Sequence, residues 1–452
     1  MADTLIVSVS GIRGIVGKDL TPELVGRYAS SMGILAAEAG NARVVLARDA
    51  RTSGPMFAAA ARAGLQSVGC EVIDCGMIPT PTAQLAVEHH GAGGGIVITA
   101  SHNPVEWNAL KFIGPDGVFL DEETGHRLVT IADGDALPRV GWDAVGGLVE
   151  DADAIGRHLD AVRALSVVDV ERIRKNAFTV ALDCTRGVGG SFMPALLESL
   201  GCQVEGMELE TDGRFTRPPE PVPQNLVGLG RLVRDCGADV GMAVDPDGDR
   251  LALTDGDGKA IGEDYTLAFA VRAVLAQTPG PVVVNLSTSL IVDDAARPYG
   301  IEVTRAPVGE ANVARAMRSR NAIVGGEGNG GVMLPELHLG RDAAVAAAVV
   351  LHLMAQTGDT VAQLVEAAPQ YAIVKAKAPR LGDLSATYGA LTSSFNGADV
   401  DRQDGLRLSW EDAWLHVRPS GTEPIVRLIA EAPTRERAEE LVGQARAVVP
   451  GP

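Results

Sequence analysis

Three times along the chain, a short apolar run gives way to small and polar residues, a helix-length stretch, a glycine and a second apolar run. The first runs are residues 43–47 (Arg-Val-Val-Leu-Ala), 178–182 (Phe-Thr-Val-Ala-Leu) and 281–284 (Pro-Val-Val-Val). The second follow Gly69, Gly201 and Gly300, in Gly-Cys-Glu-Val, Gly-Cys-Gln-Val and Gly-Ile-Glu-Val. Glycine just past a helix is the expected stop signal. Each copy then has another helical stretch and a third apolar run: 95–99, 240–244 and 321–325. Each third run empties into an unusual loop. Strands alternating with helices predict α/β layers whose sheets are at least partly parallel. Ligands in such sheets bind beyond the carboxyl ends of the strands, so three such loops can converge on one cleft.

The remainder reads differently. Trp414-Leu415-His416-Val417 and Ile425-Val426-Arg427-Leu428-Ile429 are strand-like, and residues 434–449 form an amphipathic helical pattern. The expected fold is therefore α/β: three similar domains with mixed sheets, at 1–150, 151–254 and 255–368, plus a smaller α+β domain at 369–452. The longest apolar stretch, 343–355, is Ala-rich and contains His352. It falls short of the roughly 18 uncharged residues of a membrane span and predicts a buried helix.

Charge narrows the partners. The net charge of −19 disfavours nonspecific nucleic-acid binding, because an acidic chain repels phosphate backbones. The first residues, Met1-Ala2-Asp3-Thr4, lack the basic start of a secretory signal. The 5 cysteines are scattered, without a Cys-x-x-Cys pair, which fits a reduced protein with no disulfide framework or cysteine zinc site. A cytoplasmic protein, monomer or homodimer, is expected, with neither membrane nor nucleic acid as partner.

The candidate chemistry lies in the loops. Asp245-Pro246-Asp247-Gly248-Asp249-Arg250 places three carboxylates at alternating positions. Like charges this close repel unless a cation compensates, and hard oxygen ligands suit Mg²⁺ or Mn²⁺. The neighbouring Asp255-Gly256-Asp257-Gly258-Lys259 has the flanks of a simple hairpin. Thr99-Ala100-Ser101-His102-Asn103-Pro104 offers a serine at a strand end, as a nucleophile or phosphate carrier, though by itself it reads better as an Asn-Pro turn. Arg418-Pro419-Ser420-Gly421-Thr422-Glu423-Pro424 has the donors of a phosphate cradle, or of a capped turn. In the Gly-rich stretch 325–331, Glu327 and Asn329 can meet hydroxyl groups, or line a flexible turn. Ser10-Gly11-Ile12-Arg13-Gly14 sets one arginine between glycines. Rossmann and Walker phosphate motifs are absent.

Read in order, Ser-Gly-Ile-Arg-Gly, Thr-Ala-Ser-His-Asn-Pro, Asp-x-Asp-Gly-Asp-Arg, Gly-Glu-x-Asn-Gly-Gly and Arg-Pro-Ser-Gly-Thr-Glu-Pro resemble the α-D-phosphohexomutase family over essentially the whole chain. The resemblance implies four domains around a central cleft, with Ser101 as the phosphoserine. It implies Mg²⁺ held by Asp245, Asp247, Asp249 and the phosphoryl oxygen on Ser101. Arg13 and Lys111 would flank the reacting phosphate, with Arg250 near the metal loop and His102 a further acid–base candidate. Glu327 and Asn329 would meet sugar hydroxyls. Arg418, Ser420, Gly421 and Thr422 would bind the idle phosphate.

The implied reaction interconverts a hexose 6-phosphate and 1-phosphate through a sugar bisphosphate. Ala109 stands where relatives usually have Gly, Asn329 where many have Ser, and Gly331 where many have His. The form of the sugar loop, with Pro307-Val308-Gly309-Glu310, points to glucosamine phosphate ahead of mannose and glucose phosphates. Two other readings compete. Asp245 resembles the aspartyl nucleophile of haloacid dehalogenase-type phosphatases, and a silent sugar-phosphate binder would share the cradle. The first leaves the serine loop and Arg418 idle; the second would be expected to lose the serine or an aspartate, and none is lost.

Overall fold

The structure is a computed structural model that describes residues 5–8, 11–380, 382–420 and 425–449. These form four sheets in chain order. The first has seven strands, in which Arg43–Arg48 lies between Glu71–Met77 and Gly94–Ile98, parallel to both. Trp107–Ile113, Gly11–Ile15 and Ile6–Ser8 extend it antiparallel. The second sheet repeats the plan with Thr179–Asp183 between Gln203–Met207 and Val240–Val244. The third repeats it with Val282–Asn285 between Val303–Ala306 and Val324–Glu327. The fourth is an antiparallel five-stranded sheet covered by the helix Arg435–Val448.

In each of the first three sheets the third strand turns back into an antiparallel partner: Trp107–Ile113, Leu251–Thr254 and Gly331–Met333. The three chemical loops are therefore hairpin connections at carboxyl ends of parallel strands. The first strands share a second device. Asp183 and Asn285 end theirs and Asp49 directly follows its own, and each side chain accepts the backbone N–H two residues on, at 2.7, 2.8 and 2.9 Å respectively. The repeat thus extends to a turn built from one acceptor oxygen.

Two expectations shift. The third run of the third copy sits later than its apolar residues suggest. Asn321 ends a helix in the left-handed conformation (φ 50°), and the strand is Val324–Glu327. Glu327 pairs with Gly331 across the hairpin, so the true turn is only residues 328–330. Glycine, with no β-branched preference to advertise a strand, hid this. Arg13 likewise lies not in a turn but on the strand Gly11–Ile15, between Ile6–Ser8 and Trp107–Ile113.

The expected buried helix is Ala343–Thr357, and its residues 343–351 are wholly inaccessible. It is apolar all round because it is the shared centre of one core: the helices Ala154–Arg163, Val170–Asn176 and Asp264–Gln277 pack on it. The second and third units are thereby joined by the hydrophobic effect. The fourth keeps its own core and docks through polar contacts. Glu431 accepts from Ser289 Oγ, from Leu290 N (2.8 Å) and from Trp414 Nε1 (2.6 Å). All five cysteines are free thiols. Among the described residues no helix is long and apolar enough to cross a membrane.

Candidate active site

The turn after Val240–Val244 carries Asp245, Asp247 and Asp249, all inaccessible to solvent, with ligand oxygens within 4.8 Å of one another. Their oxygens divide cleanly. Asp245 Oδ1 accepts the backbone N–H groups of Asp249 (3.1 Å) and Arg250 (3.2 Å), while Oδ2 accepts Ser101 Oγ (3.0 Å). Asp247 Oδ2 accepts Lys111 Nζ (2.7 Å) and Thr80 Oγ1 (2.8 Å). Asp249 Oδ2 accepts Arg341 Nη2 (2.6 Å). Asp247 Oδ1 and Asp249 Oδ1 are buried without a hydrogen-bond partner. Buried acceptor oxygens with no donor call for a cation, and an all-oxygen donor set fits a hard divalent ion.

Electrostatics agree. Burial, with Asp249 and Asp247 adding to it, raises the pKa of Asp245 far above the carboxylate range. Burial acts the same way on Asp247, but Lys111 and Thr80 outweigh it and hold that carboxyl below the range. Lys111, Arg341 and Arg250 all approach the triad, yet they do not bring Asp245 back to the carboxylate range. Lys111 is lowered by burial, yet Asp247 and Asp249 more than offset this and raise its pKa. It therefore stays an ammonium.

Ser101 stands beside this triad, 3% exposed, in the left-handed conformation (φ 46°). A side chain in that region costs about 1–3 kcal/mol and persists only where its surroundings hold it. What holds it is Arg51, absent from the sequence-derived site. Its guanidinium donates to the carbonyls of Ser101 (2.6 Å), Asn103 (2.7 Å), Pro104 (2.8 Å) and Trp107 (2.8 Å). Asp49 grips Arg51 Nε (3.2 Å) and also accepts Thr99 Oγ1 (2.6 Å), which in turn accepts Ser101 N–H (2.9 Å). The signal was the Asp-Ala-Arg that follows the first strand, but no spacing connects it to a loop 50 residues away.

Arg13 Nη1 donates to Asn103 Oδ1 (2.6 Å), which brings the N-terminal strand to the serine loop. Burial lowers its pKa, against the opposing field of Asp247. His102 Nδ1 lies 3.3 Å from Ser101 Oγ. Arg250, then burial, then Arg13 push its pKa down to about 2, so the ring is neutral. Arg250 Nε sits 3.5 Å from Asp249 Oδ1.

The Gly-rich loop around Glu327 is bolted to the aspartate loop. Gly330 has φ 86°, and a Cβ there would lie 2.4 Å from the carbonyl oxygen of Leu251, the residue just after Arg250. Only glycine permits that approach. Arg341, a second residue missed in the sequence, is 6% exposed and spans three carboxylates: Asp249, Glu310 (3.0 Å) and Glu327 (2.9 Å). Its signal, a charged Arg-Asp pair abutting the Ala-rich helix, reads as an ordinary helix start. Glu327 Oε1 also accepts Asn285 Nδ2 (2.8 Å) and Gly309 N (3.1 Å). Burial raises its pKa, but Arg341 and Asn285 reverse that and keep it a carboxylate. Asn329 Oδ1 accepts Gly331 N–H at 3.2 Å.

Arg418 ends the strand Trp414–Pro419, and its Nε donates to Asp404 Oδ2 (2.8 Å). The same oxygen accepts Val308 N–H (3.1 Å), next to the Gly309 that bonds Glu327. The cradle thus adjoins the sugar loop. Ser420 is buried, and its N–H donates to the Ile425 carbonyl (2.9 Å). Gly421 and Thr422 lie outside the described residues.

A second cluster could be mistaken for a metal centre. His158 Nε2 and His338 Nε2 approach Asp342 Oδ2 at 2.7 and 3.0 Å. Gly340 N–H, however, donates to His338 Nδ1 (3.2 Å). That places the ring proton on Nε2, where it serves Asp342 and blocks ligation. Thr82 Oγ1 bonds His158 Nδ1 at 2.7 Å, so the cluster is a hydrogen-bonded joint of the first three units.

A buried carboxylate triad, a strand-end serine on it and an arginine-bearing fourth unit around one centre define a phosphoryl-transfer protein of the four-domain α/β kind. Four family models match in succession: phosphoglucomutase/phosphomannomutase α/β/α domain I at residues 5–137, domain II at 156–258, domain III at 262–371 and the C-terminal domain at 362–448. A Thermococcus kodakarensis protein named phosphoglucomutase/phosphomannomutase is 38% identical, over 95% of both chains. A Methanopyrus kandleri protein named "Probable phosphoglucosamine mutase" is 37% identical, over 96% of this chain and 95% of its own. The solved structure of a phosphoglucomutase/phosphomannomutase family protein from Burkholderia thailandensis superposes with a TM-score of 0.84 at 24% identity, covering 99% of this chain and 97% of that one. The chain belongs to the phosphoglucomutase/phosphomannomutase family, the phosphohexomutases.

Proposed function

We propose that this chain interconverts hexose 6-phosphates and 1-phosphates, with Ser101 carrying the phosphoryl group and Mg²⁺ on the aspartate triad. The observation that carries this reading is Ser101 Oγ, held 3.0 Å from Asp245 Oδ2 beside two carboxylate oxygens that have no donor. Asp245, Asp247 and Asp249 would hold the ion, together with an oxygen of the phosphorylated serine. The ion's contribution is to offset the repulsion between triad and phosphate and to polarise the phosphoryl group.

The protein's own groups do the rest. The serine's P–Oγ bond breaks as a P–O bond forms to the free hydroxyl of a bound sugar monophosphate. That hydroxyl's proton must leave and the serine oxygen must be neutralised. Lys111, fixed as an ammonium, is the donor side of this exchange. His102 hydrogen-bonds the serine oxygen from 3.3 Å, and the cations and burial that keep its ring neutral leave it too weak a base to take the hydroxyl's proton, which in the net reaction ends on the serine oxygen. Arg13 stabilises charge on the transferring oxygens. The bisphosphate turns over in the cleft and returns its other phosphoryl to Ser101, while Arg418 and Ser420, with Gly421 and Thr422, hold the idle phosphate. Glu327, Asn329 and Arg250 face the sugar. An aspartyl-phosphate route would leave Ser101, held 3.0 Å from Asp245 Oδ2, and the Arg418 cradle without a role.

Arg418→Lys loses the planar fork that grips a phosphate through two N–H groups. KM for the sugar phosphate is expected to rise about tenfold or more, with a smaller change in kcat, in steady-state kinetics. An unchanged KM would place the idle phosphate elsewhere.

For the sugar we propose glucosamine phosphate, on the form of residues 326–331, with the phosphomannomutase/phosphoglucomutase activity next. The names borne by relatives include both. The test is kcat/KM for glucosamine, mannose and glucose 1-phosphates under one set of conditions, with the first expected highest. A higher value for either of the others removes the glucosamine assignment and leaves the mutase.

A further inference from the structure

The geometry points to Arg341 as the residue that makes the triad selective for a small octahedral cation, by leaving Asp249 a single oxygen to give. This inference rests on the divalent-ion reading above.

A carboxylate with two free oxygens can chelate through both. Here none can. Arg341 Nη2 takes Asp249 Oδ2 at 2.6 Å. Lys111 and Thr80 take Asp247 Oδ2. Two backbone N–H groups take Asp245 Oδ1. What remains is Asp247 Oδ1 and Asp249 Oδ1, neither with a hydrogen-bond donor though Arg250 Nε stands 3.5 Å from the latter, and Asp245 Oδ2 beside the serine. Each aspartate is therefore restricted to one ligand atom. Ca²⁺ takes about 6–8 oxygens in flexible arrangements that commonly include a bidentate carboxylate, whereas Mg²⁺ takes about six in near-octahedral geometry. Three fixed single donors suit the second ion and leave the first under-coordinated.

Arg341 cannot swing aside to relax this. Its Nε and Nη1 are held by Glu310 Oε2 (3.0 Å) and Glu327 Oε2 (2.9 Å). Glu310 is held in turn by Gln84 Nε2 at 3.0 Å from the first unit. The guanidinium is a rigid fork with three carboxylates on it, whereas Lys111 shares its duty with Thr80. Arg341 is thus a positioning residue: it touches the carboxylate oxygen turned away from the ion.

The test is direct binding of Mg²⁺ and of Ca²⁺ to the full chain, by isothermal titration and by displacement of Mn²⁺ followed in its paramagnetic resonance spectrum. The wild-type protein is expected to bind Mg²⁺ at least about tenfold more tightly than Ca²⁺. In Arg341→Met, Asp249 Oδ2 loses its 2.6 Å donor and keeps only the looser approach of Lys111 Nζ at 3.7 Å, and the ratio is expected to move toward Ca²⁺ by about tenfold or more. A ratio unchanged in the folded variant overturns the inference, as does a wild type that prefers Ca²⁺. Because Arg341→Met strands Glu310 and Glu327, a thermal melt accompanies it. The double variant Arg341→Met with Glu310→Gln, which removes one stranded charge, carries the comparison if the single variant does not fold. A wild type that binds neither ion refutes the metal reading itself, and this inference with it.

Discussion

Ser101→Ala is expected to abolish mutase turnover, by about 10⁴-fold or more, because it removes the atom on which the transferred phosphoryl group would rest. The fold should survive. The bonds that hold the serine turn run from Arg51 to backbone carbonyls and from Ser101 N–H to Thr99 Oγ1, and none uses the side-chain oxygen. What alanine loses is one donor to Asp245 Oδ2 and the 3.3 Å contact with His102 Nδ1. Alanine also meets the same left-handed backbone at little extra cost, so its melting temperature should stay near that of the wild type. The intact mass of the wild-type protein treated with glucose 1,6-bisphosphate should rise by about 80 Da, the mass of one phosphoryl group, with the adduct mapping to Ser101. The alanine variant should show no such gain. Near-wild-type turnover in Ser101→Ala, measured with any of the three sugar phosphates, would falsify the serine mechanism.

Metal removal should have an effect of similar size. Excess chelator is expected to lower activity by several orders of magnitude, since an uncompensated triad repels both the phosphoserine and the substrate. Asp247→Asn and Asp249→Asn remove one charge each while keeping the side-chain shape, and each should lower activity by about 10²-fold or more at ordinary Mg²⁺. The two should respond differently to added Mg²⁺. Asp249→Asn leaves Arg341 still paired with Glu310 and Glu327, so high Mg²⁺ should restore part of its rate. Asp247→Asn also deprives Lys111 of its nearest counter-charge at 2.7 Å. Among the described residues Asp249 is then the lysine's one remaining salt-bridge partner, at 3.7 Å, and recovery should be smaller. Activity that survives exhaustive chelation removes the metal from the mechanism.

The division between sequence and tertiary structure follows the range over which each interaction acts. The threefold strand–helix–strand pattern, the glycine stops, the buried Ala-rich helix and every reactive loop are local features. Each is written in consecutive residues whose periodicity or charge marks the segment, even where, as around Glu327, it leaves the backbone open. Three aspartates at alternating positions announce a cation because their mutual repulsion exists before any folding does. The serine, the triad, Glu327 and Arg418 were therefore legible from the chain itself.

The groups that set the loops in place were not. Arg51 reaches the carbonyl of Ser101 across 50 positions, and Arg341 reaches Asp249 across 92. Thr80 meets Asp247 across 167. A lone arginine or threonine carries no mark of such a partner, because its role arises only when separate units dock and exclude water. Glu327 passed for a loop residue because the glycines around it hide a strand that only pairing with Gly331–Met333 creates. By itself the sequence determined which atoms are available for chemistry. Tertiary packing decided which oxygen of Asp247 and of Asp249 remains free, since that depends on Lys111 and Arg341, cations delivered from the first and third units into a buried, low-dielectric centre.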